Sequence, residues 1–147
     1  MYKMPKRGFL FGRLYLASGD SFSAEKELEQ ALELGYNANK TLPLLARAYM
    51  ISESDEETLS LEKEAEFLNK SSEIQFLAYK TIAALRVGNE KLASETFALA
   101  LSMSNSDGYS MLANAYLAFA KKNTAHAATL VGRILTAIPN NADALML

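Results

Sequence analysis

One segment, GDSFSAEKELEQALELG at residues 19–35, returns in outline as GNEKLASETFALALSMS at residues 88–104. Aligned on Gly19 and Gly88, Ala24 meets Ala93, Leu28 meets Phe97 and Ala31 meets Ala100. Each copy reads as an amphipathic helix behind a glycine and a polar cap, Gly19-Asp20 in one and Gly88-Asn89 in the other. The copies lie 69 residues apart, about twice 34. Self-similarity at such a period constrains the fold strongly, because a short unit cannot bury its own apolar face and must stack on neighbours.

Intermediate copies follow at the half period. Phe11-Gly12-x-x-Tyr15 matches Leu45-Ala46-x-x-Tyr49, Ala65 falls 34 after Ala31, and Ala127 falls 34 after Ala93. Pro139-Asn140-Asn141 closes a fourth copy, and ADALML begins a fifth. The 147 residues suffice for one domain with a real core. Half are hydrophobic, only 3 are Pro and 7 are Gly, and nowhere do β-branched and polar residues alternate over a strand length. An all-α chain is expected. Helices are predicted near 6–18, 21–34, 41–51, 55–69, 73–87, 90–104, 108–121 and 124–137, with a stub from 141. Ser54-Asp55-Glu56-Glu57 is expected to form a capping box. Pro43 is expected to sit in the first turn of its helix, where amides need no partner.

These residues resemble the tetratricopeptide repeat, a helix–turn–helix unit of 34 residues. The first copy supplies Phe11-Gly12, Tyr15, Ala24, Leu28 and Ala31. The second supplies Leu42, Leu45-Ala46, Tyr49 and Ala65, and the third Leu77, Ala93, Phe97 and Ala100. The fourth supplies Ala127, Pro139 and the Asn pair. The resemblance implies a right-handed α-solenoid with repeats at approximately 5–38, 39–72, 74–107 and 108–141, then a truncated fifth. Departures exist. Ser52-Glu53-Ser54 replaces the glycine turn of the second copy, and the third has Thr81 and Ala84 for the Gly and Tyr. The first helix of the fourth fits two registers, one of them Leu112-Ala113-x-x-Tyr116. Small residues such as Gly12, Ala24 and Ala46 would let paired helices approach to about 8 Å.

A second, narrower resemblance is to the tetratricopeptide lipoproteins of bacterial exosortase and exopolysaccharide loci. It rests on AEKEL at 24–28, ALELG at 31–35 and LPLLARA at 42–48. The chain has no Cys for lipid attachment. The match implies at most a segment of such a protein, periplasmic and membrane-anchored; without it the default compartment is the cytoplasm.

Catalytic chemistry is not indicated. His126 is the only His, and there is neither a Cys nucleophile nor a phosphate-cradling glycine motif. YLASGDSF and SNSDGYS hold Ser and Asp without a base partner or nucleophile-elbow spacing. No cofactor or metal is implied. The Glu-rich run 55–66 lacks the glycine turn of a calcium loop and reads as a solvated face. A net charge of −2 argues against a general nucleic-acid binder, which needs a dominant basic surface. No apolar run approaches the roughly 20 residues of a spanning helix, so no membrane insertion is expected. Arg13 also cuts the N-terminal apolar run below signal-peptide length.

Charge is segregated. The first helix of each pair carries Lys6, Arg7, Arg13, Lys40, Arg47, Lys80 and Arg86, whereas Glu dominates the second helices. In tetratricopeptide arrays, the resemblance implies, first helices line a concave groove. Its groove positions fall here on Lys6, Phe9, Leu10 and Arg13, then Lys40, Leu44, Arg47 and Met50. They continue with Gln75, Tyr79, Ile82 and Arg86, then Tyr109, Leu112, Tyr116 and Phe119. Lys6/Lys40 and Arg13/Arg47 should form ladders. The expected partner is a protein or peptide, in an extended or helical segment that is partly acidic. Phe9 and Arg13 stand where the family's carboxylate clamp would have Lys and Asn, which disfavours a co-chaperone role. The competing reading of these cations is as solvated ends whose stems cover the core. The rival function is structural: self-association through the apolar ends, or membership of a longer array without a groove ligand.

Overall fold

The computed structural model describes residues 5–103 and, beyond them, Tyr109, Leu117 and His126. Helix α1 spans Pro5–Ala17, α2 Ser21–Glu33, α3 Ala38–Ile51, α4 Asp55–Leu59, α5 Lys70–Arg86 and α6 Glu90–Met103. A 3-10 turn, Ser60–Glu62, continues α4. Among the described residues every regular element is helical, so the chain is all-α as expected. The helices expected beyond residue 104, the fourth repeat and the fifth stub lie outside the described residues.

Packing runs between neighbours in sequence: α1 on α2, α2 on α3, and α5 on α6, with short α4 against α3 and α5. In addition α1 touches α3 and α3 touches α5, so these three form a row. The core follows from that row. Leu28, Leu42, Leu45 and Ile82 are buried, and Ala24, Ala46 and Ala93 bring the helices close. Gly12 shows why small residues recur. A Cβ there would lie 2.5 Å from Leu28 Cγ, inside any permitted contact, so α1 meets α2 only because position 12 has no side chain.

The turns repeat one geometry. At the end of α1 the Asp20 amide donates to the Tyr15 carbonyl at 2.8 Å, and the Gly19 amide donates to Leu16 at 3.1 Å. This Schellman return requires positive φ at its glycine. The same pair of bonds closes α2 on Gly35-Tyr36 and α5 on Gly88-Asn89, with φ between +81° and +86° at the three glycines. It closes α3 as well, where the sequence has no glycine: Glu53 takes φ +58°. After the glycine returns the next helix starts on a side-chain cap. Asp20 accepts from the Ser23 amide at 3.0 Å, and Asn89 from Leu92 at 3.1 Å.

Four expectations about helix bounds and caps are corrected, and the placement of Pro43 with them. Helix α3 begins at Ala38 rather than 41, because Asn37 caps it through the Asn39 amide. Helix α5 begins at Lys70 rather than 73, because Asn69 accepts from the Ser72 amide at 2.9 Å. Pro43 therefore lies in the second turn of α3, where its missing N–H leaves the Asn39 carbonyl without its helical donor. The Ser72 hydroxyl donates to that carbonyl at 2.7 Å, and the Asn69 amide donates to Asn39 Oδ1 at 2.7 Å. The helical gap is thus filled from α5.

The third and fourth corrections concern α4. Ser54 makes no side-chain cap bond, so the capping box with Glu57 does not form. The helix expected over 55–69 stops at Leu59 and passes through the 3-10 turn into irregular turns at 63–67. Thr58 and Leu61 are buried, but Glu62, Glu64 and Glu66 are exposed, and Phe67 is 89 % exposed. The Ser60 hydroxyl bonds the Glu57 carbonyl at 2.6 Å, a local competitor to helical pairing. Glu62 and Glu66, one helical turn apart, would repel in a continued helix.

Two substitutions test this account. Glu53→Gly should raise unfolding free energy by about 0.5–1 kcal/mol, the αL strain relieved less the entropy glycine adds to the unfolded chain. Gly12→Ala should lower it by about 1–2 kcal/mol despite better helix propensity. That loss should largely vanish in a Leu28→Ala background, as read by urea denaturation of the double-mutant cycle.

Candidate peptide-binding groove

The row α1–α3–α5 leaves a groove of about 450 Å³ along one side. Helix α1 contributes Phe9 and Arg13 to it. Helix α3 contributes Asn39, Lys40, Pro43, Leu44 and Arg47, and α5 contributes Ser71, Ser72, Gln75 and Tyr79. The caps Asn37 and Asn69, with Tyr109, complete the wall. No residue of α2, α4 or α6 lines the groove, and among the described residues none of the lining is acidic.

Helical spacing explains the set. Lys40, Leu44 and Arg47 share one face of α3, and Ser72, Gln75 and Tyr79 one face of α5. The bonds from α5 to Asn39 hold these faces level with each other. Both helices present their N-terminal ends here, which adds partial positive charge to that of the side chains. The three cations differ in setting. Lys40 is exposed and Arg13 half-buried, whereas Arg47 is only 2 % exposed. A cation so placed is screened least by salt and water.

Aromatic rings bound the groove at two places. Phe9 packs on Tyr36 with ring centroids 5.1 Å apart, and the Arg13 guanidinium lies 5.7 Å from the Phe9 centroid. Tyr79 meets Tyr109 edge-on at 6.2 Å. The wall therefore offers charge, planar apolar surface and side-chain amides together.

The residues picked from the sequence separate into two groups. Phe9, Arg13, Lys40, Leu44, Arg47, Gln75, Tyr79 and Tyr109 come together in this groove. Lys6 and Leu10 are exposed on α1 outside its lining, so only the Arg13/Arg47 pair spans α1 and α3 within it. Met50 and Ile82 are buried in the core. Arg86 has a structural role: its Nη1 donates to the Met50 carbonyl at 2.8 Å and lies 3.5 Å from Asp55 Oδ1. It thereby closes the C-terminal end of α3. Tyr116, Leu112 and Phe119 lie outside the described residues. The amide and hydroxyl wall of Asn37, Asn39, Asn69, Ser71 and Ser72 escaped the sequence reading. Its signal was present in the polar runs YNAN and LNKSS, where each helix start was set too late.

Several carboxylates lie away from the groove. The Tyr49 hydroxyl donates to Glu29 Oε1 at 3.0 Å, and burial, reinforced by that carboxylate, raises the phenol's pKa. Burial also pushes the Glu25 carboxyl above its ordinary value; Ser52 and Ser54 oppose the shift, and Glu29 and Glu57 add to it. Burial raises Asp55 likewise, against the pull of Arg86.

Because its folded value is raised, Glu25 holds a proton in the folded chain that it has already lost when unfolded. Stability contributed by this group thus falls as pH rises from 4.5 through the raised folded value. Glu25→Gln should flatten that decline in thermal midpoint while leaving the acid side below pH 4.5 little changed. Identical midpoint-against-pH curves for the two proteins would contradict this assignment. Compared with known proteins, the chain matches no family model, no curated protein and no solved structure.

Proposed function

We propose that the chain is a tetratricopeptide-like α-solenoid of about four repeats and works as a protein-interaction scaffold. Its groove takes an extended or helical peptide segment that is partly acidic. One observation carries this reading: Arg13, Lys40 and Arg47 line a groove with aromatic rings and, among the described residues, no acidic side chain. Charge of one sign on a recessed wall favours a ligand of the other sign and hastens its arrival. Phe9, Tyr79 and Tyr109 supply apolar contact for residues between the acids, as aromatic anchors do at interfaces. Gln75, Asn39 and Asn69 have the donors and acceptors that an extended backbone presents. The reading includes no catalytic step and no cofactor.

A second reading, self-association through an apolar end, has its own observation. Leu10 and Leu14 stand 49 % and 60 % exposed on the outer side of α1, one helical turn apart.

Fluorescence anisotropy with a labelled Glu- and Phe-containing peptide tests the first reading. Arg13→Glu with Lys40→Glu is the variant of choice, since Arg47 is too buried to accept a carboxylate without harm to the fold. Affinity should fall by about tenfold or more, and wild-type binding should weaken as salt rises. Equal affinity of variant and wild type would refute the groove reading.

A further inference from the structure

We propose that the ligand of the groove includes a segment of this same chain: the turn Glu64–Phe67, presented by one copy to the groove of a second. The inference rests on the groove reading above and deepens it by naming an occupant.

The turn has the features of a donor. Phe67 is 89 % exposed, more than any other large apolar side chain described as exposed. A lone exposed Leu is ordinary on a protein surface; a phenyl ring so exposed, directly behind two acids, is not. Glu64 and Glu66 precede it and are themselves exposed. Glu62 is exposed too but already paired, 2.6 Å from Lys80 Nζ of α5. The interruption of α4 creates this arrangement. The helix ends at Leu59 and the 3-10 turn at Glu62, and the irregular turn that follows leaves Glu64, Glu66 and Phe67 exposed.

The groove has the complementary features. Its cations stand on α1 and α3, and its Tyr79–Tyr109 pair stands at the α5 side. Exposed carboxylates of a neighbouring copy complement Arg13 and Lys40 in charge, and the phenyl ring beside them complements the apolar and aromatic part of the same wall. The copy that carries the turn does not fill its own groove. Residues 62–68 are absent from the groove lining, and the ring remains exposed.

Donor and acceptor are different surfaces, so a pair joined by one contact keeps one turn and one groove free. Such a heterologous contact leads on to a ring or an open array, whose mass rises with concentration. Sedimentation velocity at low salt over a rising concentration series therefore tests it. A donor variant, Glu66→Lys with Phe67→Ala, alters only exposed side chains. The acceptor variant is Arg13→Glu with Lys40→Glu. Wild-type mass should rise with concentration, while each variant alone should stay monomeric. Their equimolar mixture should stop at the heterodimer, because one copy retains only the turn and the other only the groove. Circular dichroism confirms that both variants fold.

A wild-type protein that stays monomeric while a foreign acidic peptide binds the groove would overturn this inference and leave the groove reading intact. Failure of both the self-association and the foreign peptide would remove both. Association that survives the donor and acceptor changes but is lost in Leu14→Ser would overturn it in favour of the α1 face.

Discussion

Proline at position 43 withholds the hydrogen that the Asn39 carbonyl would otherwise accept, and the α3–α5 face is organised around that deficit. A buried carbonyl left alone is costly, so the structure supplies a donor from elsewhere. Ser72 provides it from the first turn of α5, and Ser72 is itself oriented by the Asn69 cap. A defect in one helix has become a joint between two. Because the joint lies at the start of both helices, it sets them side by side from their first turns onward. Residues at matching depths, Leu44 with Gln75 and Arg47 with Tyr79, then look into one space.

The polar character of that space follows from how the row is built. Helices α3 and α5 are covered on most sides, which is why Tyr49, Tyr79, Thr41 and Thr81 are buried alongside aliphatic residues. Buried hydroxyls there are satisfied locally: Thr41 donates to the Asn37 carbonyl at 2.9 Å and Thr81 to Leu77 at 2.8 Å. The remaining open face carries what the core cannot hold, the cations and the amides. Two described ion pairs lie away from that face: Lys80 meets Glu62 and Arg86 meets Asp55, so these two cations brace α4 and its 3-10 turn against α5.

Much of the helical layout was legible in the sequence because the signals were local. Gly19, Gly35 and Gly88 marked helix ends, and Ala24, Leu28 and Ala31 marked one buried stripe, all at spacings that backbone geometry dictates. Errors arose where a distant partner decided the outcome. Nothing near Pro43 announces Ser72, so a rule that keeps proline in the first turn displaced the start of α3. Glu53 adopts a glycine-like backbone because the Schellman bonds and the flanking contacts impose it. The lost second half of α4 was masked by strong helix formers, whose propensity is overruled where few apolar residues find a surface. Within the groove, positions set by helical period were recoverable, but not whether a side chain was needed more urgently by the core. Met50 and Arg86 were drawn inward for that reason.

The recurrent Schellman return has one more consequence. Its bonds link residues only a few positions apart, and the helices that it joins pack mainly on their immediate neighbours. Little of the structure waits for remote parts of the chain to meet, a topology that favours rapid folding from more than one starting point. It also gives evolution a natural unit of change. A whole hairpin, bounded by two such returns, can be gained or lost while the helices on either side keep the same kind of surface for whatever lies next to them.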